Sequence, residues 1–171
     1  IRVRQALHDG ELCLHYQPKI SLSSGAVIGF EALLRWQHPR DGLIVPQYFI
    51  PLIEQSDLIV EIGEWVIGSV AATISRWADQ GVEQRLAVHI SPRQLDHATF
   101  FRRLHESLRR QNAPARLLEL EITESLAMHC SDDVIAAIAE LRAEGATVAI
   151  DDFGTGYSNL ARLRDLPVDR V

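Results

Sequence analysis

The chain has 171 residues, 47% of them hydrophobic, and a formal net charge of −6. That length and composition suit a single sizeable core and exclude collagen-like or disordered bias. The acidic balance argues against a nucleic-acid polymer as partner, because polyanions are met by basic faces that release counterions.

Residues Ile1 to Gly10 set Ile1, Val3 and Leu7 beside charged side chains and predict a short lead-in helix. Leu12 to Ile20 and Ala26 to Trp36 read as extended runs joined by Ser23, Ser24 and Gly25, a hairpin signal that makes the first two strands antiparallel. From there helices and strands alternate. Pro46 to Gln55 predicts a short helix, and Leu58 to Gln80 a long one stopped by Gly81. The strand RLAVHI from Arg85 precedes a helix opened by Ser91 and Pro92, a capping residue and a first-turn residue. LLELEI from Leu117 is the next strand. Ser131, Asp132 and Asp133 open a helix to Glu144 that Gly145 ends, and TVAIDDF from Thr147 is a further strand. Asn159 to Leu166 reads as a last short helix, and Val168 to Val171 as the start of another strand. This alternation implies parallel βαβ units, in an open doubly wound sheet or a barrel. Five strands and a stub fall short of an eight-stranded barrel of ~250 residues, so one domain cut before its last βα units is expected over residues 1 to 171.

Cys13 and Cys130 are too few and too far apart for a disulfide framework or zinc knuckle, and both read as buried small hydrophobes in a reducing compartment. No signal peptide is evident at Ile1, and no uninterrupted apolar stretch approaches the ~20 residues of a membrane helix. Met128 is the only Met, which points to a piece of a longer protein.

Glu31, Glu121, Asp151 and Asp152 each sit where an apolar, strand-like run ends. Carboxylates at successive strand ends of one barrel converge on one face and can hold divalent ions against a phosphate. Glu31 and Arg35, four residues apart, fall on the same face of an extended strand, as a joint metal and phosphate contact or as an ordinary ion pair. Glu119, Glu121 and Glu124 crowd three acids into six residues, which is costly unless a cation or donors compensate; Thr123 or Ser125 there can cap the next helix. Asp151 and Asp152, followed by Gly154 and Gly156, suit a two-metal phosphate site with a mobile loop. A lone His is most often structural, but the place of His89 among acidic strand ends points to metal ligation or substrate contact. The other six His residues lack such context.

The motifs GFEALLRWQHP, LAVHISPRQL, LELEITES and AIDDFGTGYSNL, in this order and spacing, resemble the EAL domain, a family of bacterial phosphodiesterases that hydrolyse cyclic di-GMP. The resemblance runs from Gln17 to the last residue. It implies a TIM-barrel-like (β/α) barrel with an antiparallel first strand, in agreement with the hairpin. It also implies Glu31, Glu121, Asp151 and Asp152 as ligands of Mg²⁺ or Mn²⁺, two ions being expected, with His89 at a position that is Asn in the family pattern. Arg35 and Gln17 would meet the dinucleotide, and Glu124 would brace the loop from Asp152 to Ser158. Glu31, Asp151, Asp152 and Glu124 would together serve catalysis, the attack of water on one phosphodiester to give linear pGpG. The family's later Lys and Glu would fall beyond Val171, and Lys19, the only Lys, belongs to the first strand instead. The setting implied is the bacterial cytoplasm, in a parent that can be membrane-attached, with a homodimer and attached sensory or signalling domains as partners. Two alternatives stand beside this: a degenerate EAL domain that binds cyclic di-GMP or a protein without hydrolysis, and an unrelated α/β metal hydrolase acting on a small phosphate ester.

Overall fold

The computed structural model describes residues 2–151 and 168–170. Asp152, the loop with Gly154 and Gly156 and the helix expected at Asn159 to Leu166 lie outside the described residues. Helix α1 (Arg2–His8) leads into strand β1 (Leu12–Ile20), which turns back as β2 (Val27–His38). The turn closes through Gly25, whose φ of 69° lies in the left-handed region that glycine enters without steric cost. β2 runs two residues past the sequence expectation and folds back again as β3 (Gly42–Ile44), a strand the sequence reading lacks. A 3₁₀ turn over Pro46–Tyr48 and the short α2 (Ile50–Ile53) replace the single helix expected there.

The remaining elements alternate: α3 (Leu58–Asp79), β4 (Arg85–His89), α4 (Pro92–Leu95), α5 (Phe100–Arg110), β5 (Leu118–Thr123), α6 (Glu124–Met128), α7 (Asp132–Ala143) and β6 (Thr147–Asp151). The helix expected after Ser91 is two helices, broken between Leu95 and Phe100. The sheet order is β1-β2-β4-β5-β6, with β3 on β2. β1 and β3 pair with β2 antiparallel, and every later pairing is parallel. Next to β6, Arg170 bridges Ala149 in parallel, with Ile150 N–H donating to Arg170 O at 2.9 Å, so strand pairing resumes where the sequence places it. The fold is thus α/β with a mixed sheet.

One face of the sheet is apolar: Ala32, Leu86, Val88, Leu118, Leu120, Ile122, Val148 and Ile150 are all buried. α3 covers part of it with buried residues at helical spacing, among them Leu58, Ile62, Val66, Val70 and Ile74. At its end, Trp77 meets Tyr16 and Phe30 edge-on at 5.5 and 5.3 Å, and the Tyr16 hydroxyl bonds Thr73 at 3.0 Å. By length and composition alone α3 is apolar enough to cross a membrane, although Glu61 and Glu64 interrupt its apolar run, as expected from the sequence. However, 56% of its most apolar window is buried within the protein, the mark of a core helix. Gly63 on α3 makes room for Gln94: a Cβ there would stand 1.9 Å from Gln94 Nε2. Gln94 is itself fixed, closing a capping box in which Ser91 Oγ accepts from Gln94 N–H and Gln94 Oε1 accepts from Ser91 N–H. Cys130 is buried as expected, its thiol donating to Leu126 O at 3.2 Å, whereas Cys13 is only half-buried; neither is in a disulfide.

Candidate metal centre

Side chains alternate across a strand, and residues in register on parallel neighbours share a face. Gln17 lies opposite Glu31, Glu31 beside Ala87, Ala87 beside Glu119, and Glu119 beside Thr147; two residues further on, His89 lies beside Glu121. These positions form the face opposite the apolar one. The alternation in LELEIT therefore buries three hydrophobes in the core and directs Glu119 and Glu121 to the polar face.

On that face three groups converge. His89 Nε2 stands 2.6 Å from Glu31 Oε1 and 3.1 Å from Glu121 Oε2, and the three side chains offer ligand atoms within 4.8 Å of one another. Asp151 joins from the last described residue of β6, its Oδ2 3.6 Å from His89 Nδ1. His89 does end its strand, Asp151 is the last described residue of β6, and Glu121 lies two residues before the end of β5. Glu31 does not end its strand: β2 continues to His38, and what ends at Glu31 is only the parallel ladder to β4. The apolar run hid this, because the continuation of β2 is held by the antiparallel partners β1 and β3.

The crowding of acids on β5, costly unless a cation or donors compensate, is met at Glu119 and Glu121 by Lys19. Its Nζ bonds Glu119 Oε1 at 2.8 Å and also Glu121 Oε1. Glu119 is 2% exposed, and its second oxygen accepts from Thr147 Oγ1 at 3.0 Å with Arg170 Nη1 at 3.6 Å. Burial pushes the Glu119 carboxyl up, but Lys19, Arg170 and Thr147 outweigh it and hold the group below its ordinary range. For Glu121 burial wins: its carboxyl rises above the ordinary range despite Lys19 and His89, and Glu31 adds to the rise. Burial also opposes the Lys19 charge, yet its two glutamates keep the ammonium pKa above the usual value. From the sequence Lys19 was read only as a residue of the first strand, without this contact.

The other expected residues are placed as follows. Gln17 is exposed on β1 opposite Glu31. Arg35 does not pair with Glu31; its guanidinium donates to Leu34 O at 2.8 Å. Glu124 is buried as the first residue of α6, whose N-terminus is capped by Thr123 Oγ1 accepting from Leu126 N–H at 3.2 Å; Ser125 lies within the helix. Asp152 lies outside the described residues. Beside His89, a cavity of about 450 Å³ is lined by Leu33, Pro46, Ile59, Pro92 and Thr123 among others.

Fold and site together define an α/β domain whose carboxylate and imidazole donors are consistent with a divalent-metal site. Hard cations such as Mg²⁺ and Mn²⁺ take carboxylate oxygens, and neutral imidazole is a competent further ligand, so the donor set fits. The chain belongs to the EAL domain family, whose model matches residues 2–171. It is 44% identical over 170 residues to the bifunctional diguanylate cyclase/cyclic di-GMP phosphodiesterase MucR of Pseudomonas aeruginosa, covering 99% of this chain and 25% of that protein. It is 42% identical over 169 residues to the cyclic di-GMP phosphodiesterase PdeR of Escherichia coli, with the same coverage of each. The solved structure of the PaMucR phosphodiesterase in complex with c-di-GMP superposes with a TM-score of 0.92 at 44% identity, covering 98% of this chain and 68% of that one. The EAL enzyme Bd1971, bound to cAMP and cyclic di-GMP, gives 0.86 at 33%, covering 98% and 47%. The chain spans about a quarter of the length of these curated relatives. Family membership removes the reading as an unrelated α/β hydrolase.

Proposed function

We propose that this domain is a metal-dependent cyclic di-GMP phosphodiesterase that opens the cyclic dinucleotide to linear pGpG. The observation that carries the reading is the convergence of Glu31, His89, Glu121 and Asp151 on the polar face of the sheet, in a chain of this family. These four residues, with Asp152, would hold Mg²⁺ or Mn²⁺, two ions in all. Bound there, the metal supplies Lewis-acid polarisation of the phosphodiester and a lowered pKa for water. Glu31 and Glu121 present oxygens from neighbouring strands, and His89 between them spaces the two carboxylates. Gln17, opposite Glu31, and Arg35 on the same strand as Glu31 are assigned to the dinucleotide, and the apolar cavity beside His89 offers a wall for a purine base. Glu124, fixed at the start of α6, would brace the segment after Asp152.

The same reading places the domain in a TIM-barrel-like (β/α) barrel, in a bacterial cytoplasmic setting, as a homodimer within a longer signalling protein. The share of its relatives' length that it spans supports attached domains. A second reading, a receptor that binds cyclic di-GMP without cleaving it, is favoured by His89, whose ring bridges Glu31 and Glu121 directly. The parent protein, supplied with Mn²⁺ and cyclic di-GMP, separates the two. Production of pGpG that is abolished by chelator and by Glu31→Ala is expected. Tight binding of cyclic di-GMP with no turnover would leave the receptor reading, and no binding of either would overturn both.

A further inference from the structure

Lys19 crosses the polar face of the sheet to reach its partners. It sits on β1, and its two glutamates sit on β5, with β2 and β4 between. The way is open because the residue in register with Lys19 on β2 is Gly29, and the residue in register with Glu119 on β4 is Ala87. Neither carries a side chain long enough to stand between. The contact also divides the labour of Glu121 between its two oxygens. Oε1 is taken by the Lys19 ammonium, and Oε2 is left toward His89. Lys19 is in turn held by Glu119, a carboxylate 2% exposed whose second oxygen is tied to Thr147 and approached by Arg170.

We propose that Lys19 is a positioning residue for the Glu121 carboxylate, fixing which oxygen of Glu121 faces the metal, and that Glu119 is the anchor that fixes Lys19. The assignment rests on the metal-site reading given above. Hydrogen-bond partners behind a metal ligand restrict its orientation, and losing one costs metal affinity about 10- to 100-fold. With Lys19 in place, Glu121 is committed to binding through one oxygen. Without it, the carboxylate loses the donor that holds Oε1, and Glu119 and Glu121 stand two residues apart on the same strand with only Arg170, 3.6 Å from the second oxygen of Glu119, as a cation beside Glu119 among the described residues.

The sign of the effect separates positioning from simple charge. A cation beside a dication site repels the dication, so deleting the Lys19 charge would strengthen metal binding if electrostatics alone governed. Positioning demands the opposite. The test is calorimetric titration of the intact parent protein with Mn²⁺, for the unaltered protein, Lys19→Met, Lys19→Arg and Glu119→Gln, with unfolding in chelator recorded for each. Lys19→Met is expected to weaken Mn²⁺ binding about 10- to 100-fold, Lys19→Arg to restore most of it, and Glu119→Gln to give a smaller loss in the same direction. Equal or tighter binding in Lys19→Met would overturn the proposal. If that variant unfolds in chelator, Glu119→Gln decides, and unchanged affinity there overturns the anchor and the positioning role together. Absence of Mn²⁺ binding by the unaltered protein would instead sink the metal-site reading itself.

Discussion

Replacing Gly63 by Ala tests how tightly the segment after His89 is held under α3. In an open helix interior the change would stabilise by about 0.8–1.0 kcal/mol, because Gly loses more backbone entropy than Ala on folding. Here the new methyl would lie 1.9 Å from Gln94 Nε2 and 2.3 Å from Gln94 Cδ, far inside van der Waals contact. Gln94 is 5% exposed and its Oε1 accepts from Ser91 N–H at 3.1 Å, so its side chain cannot swing aside without giving up that half of the capping box. Forced repacking in a dense interior costs about 1–3 kcal/mol, and the loss of a capping interaction adds about 1 kcal/mol. The propensity gain offsets only part of this, which leaves a net destabilisation of about 2 kcal/mol. For a domain of this size that lowers the thermal midpoint by about 4–8 °C. Thermal or urea unfolding of the protein carrying Gly63→Ala, Gln94→Ala or both is the measurement. The double variant should be more stable than the two single effects combined, since removing Gln94 relieves the overlap. A Gly63→Ala protein as stable as the parent or more so would refute the claim that Gln94 is pinned.

Asp151→Asn should weaken Mn²⁺ binding about tenfold or more, because it withdraws one charged oxygen from the cluster; unchanged calorimetric affinity would show that Asp151 is not a ligand. His89→Asn should retain Mn²⁺ binding, whereas His89→Ala should lose about tenfold, and equal affinity of the two would remove His89 from the ligand set. At low pH, the ion pair of Asp169 with Arg142, at 2.6 Å, sets a sign: Arg142 first, then the Val148 N–H, hold the Asp169 carboxyl below its ordinary range despite partial burial. A depressed carboxylate stabilises the fold above its unfolded pKa and loses that contribution as pH falls through the depressed value. Arg142→Met should therefore flatten the acid limb of the stability curve between those two values, and an acid limb identical to that of the parent would refute the assignment.

What was readable in advance followed local rules. Alternation in LELEIT put Glu119 and Glu121 on one face, the apolar run RLAVH marked a strand, and Ser91, Thr123 and Ser131 stood at helix starts that their side chains do cap. β3 was not readable: Gly42–Ile44 is three residues long and exists only as an extension of the β2 ladder. Glu31 was misplaced on its strand for a related reason, since pairing with β1 and β3 carries β2 onward through polar Arg35, Gln37 and His38. The break between α4 and α5 carries no Gly and no Pro, so composition gave no warning of it. Arg35 and Glu31 share a strand and opposite charge, yet they do not pair, because charge spacing sets what is possible and not what the backbone carbonyl of Leu34 takes first. The Lys19 contact is non-local by 100 residues, beyond the reach of any window along the sequence.

That same separation orders events in time. A chain made from its N-terminus brings Lys19 and the β1–β2 hairpin into being well before Glu119 and Glu121. When β5 docks beside β4, the ammonium that its buried acids require is already standing on the far strand, and Gly29 has already left the path clear. Contacts of such long range are slow to close, so docking of β5 is the step at which the cost of closing the long loop is met. The polar face would thus be assembled cation first and acids second, and the cluster around His89 could take its final shape only after most of the described chain is in place.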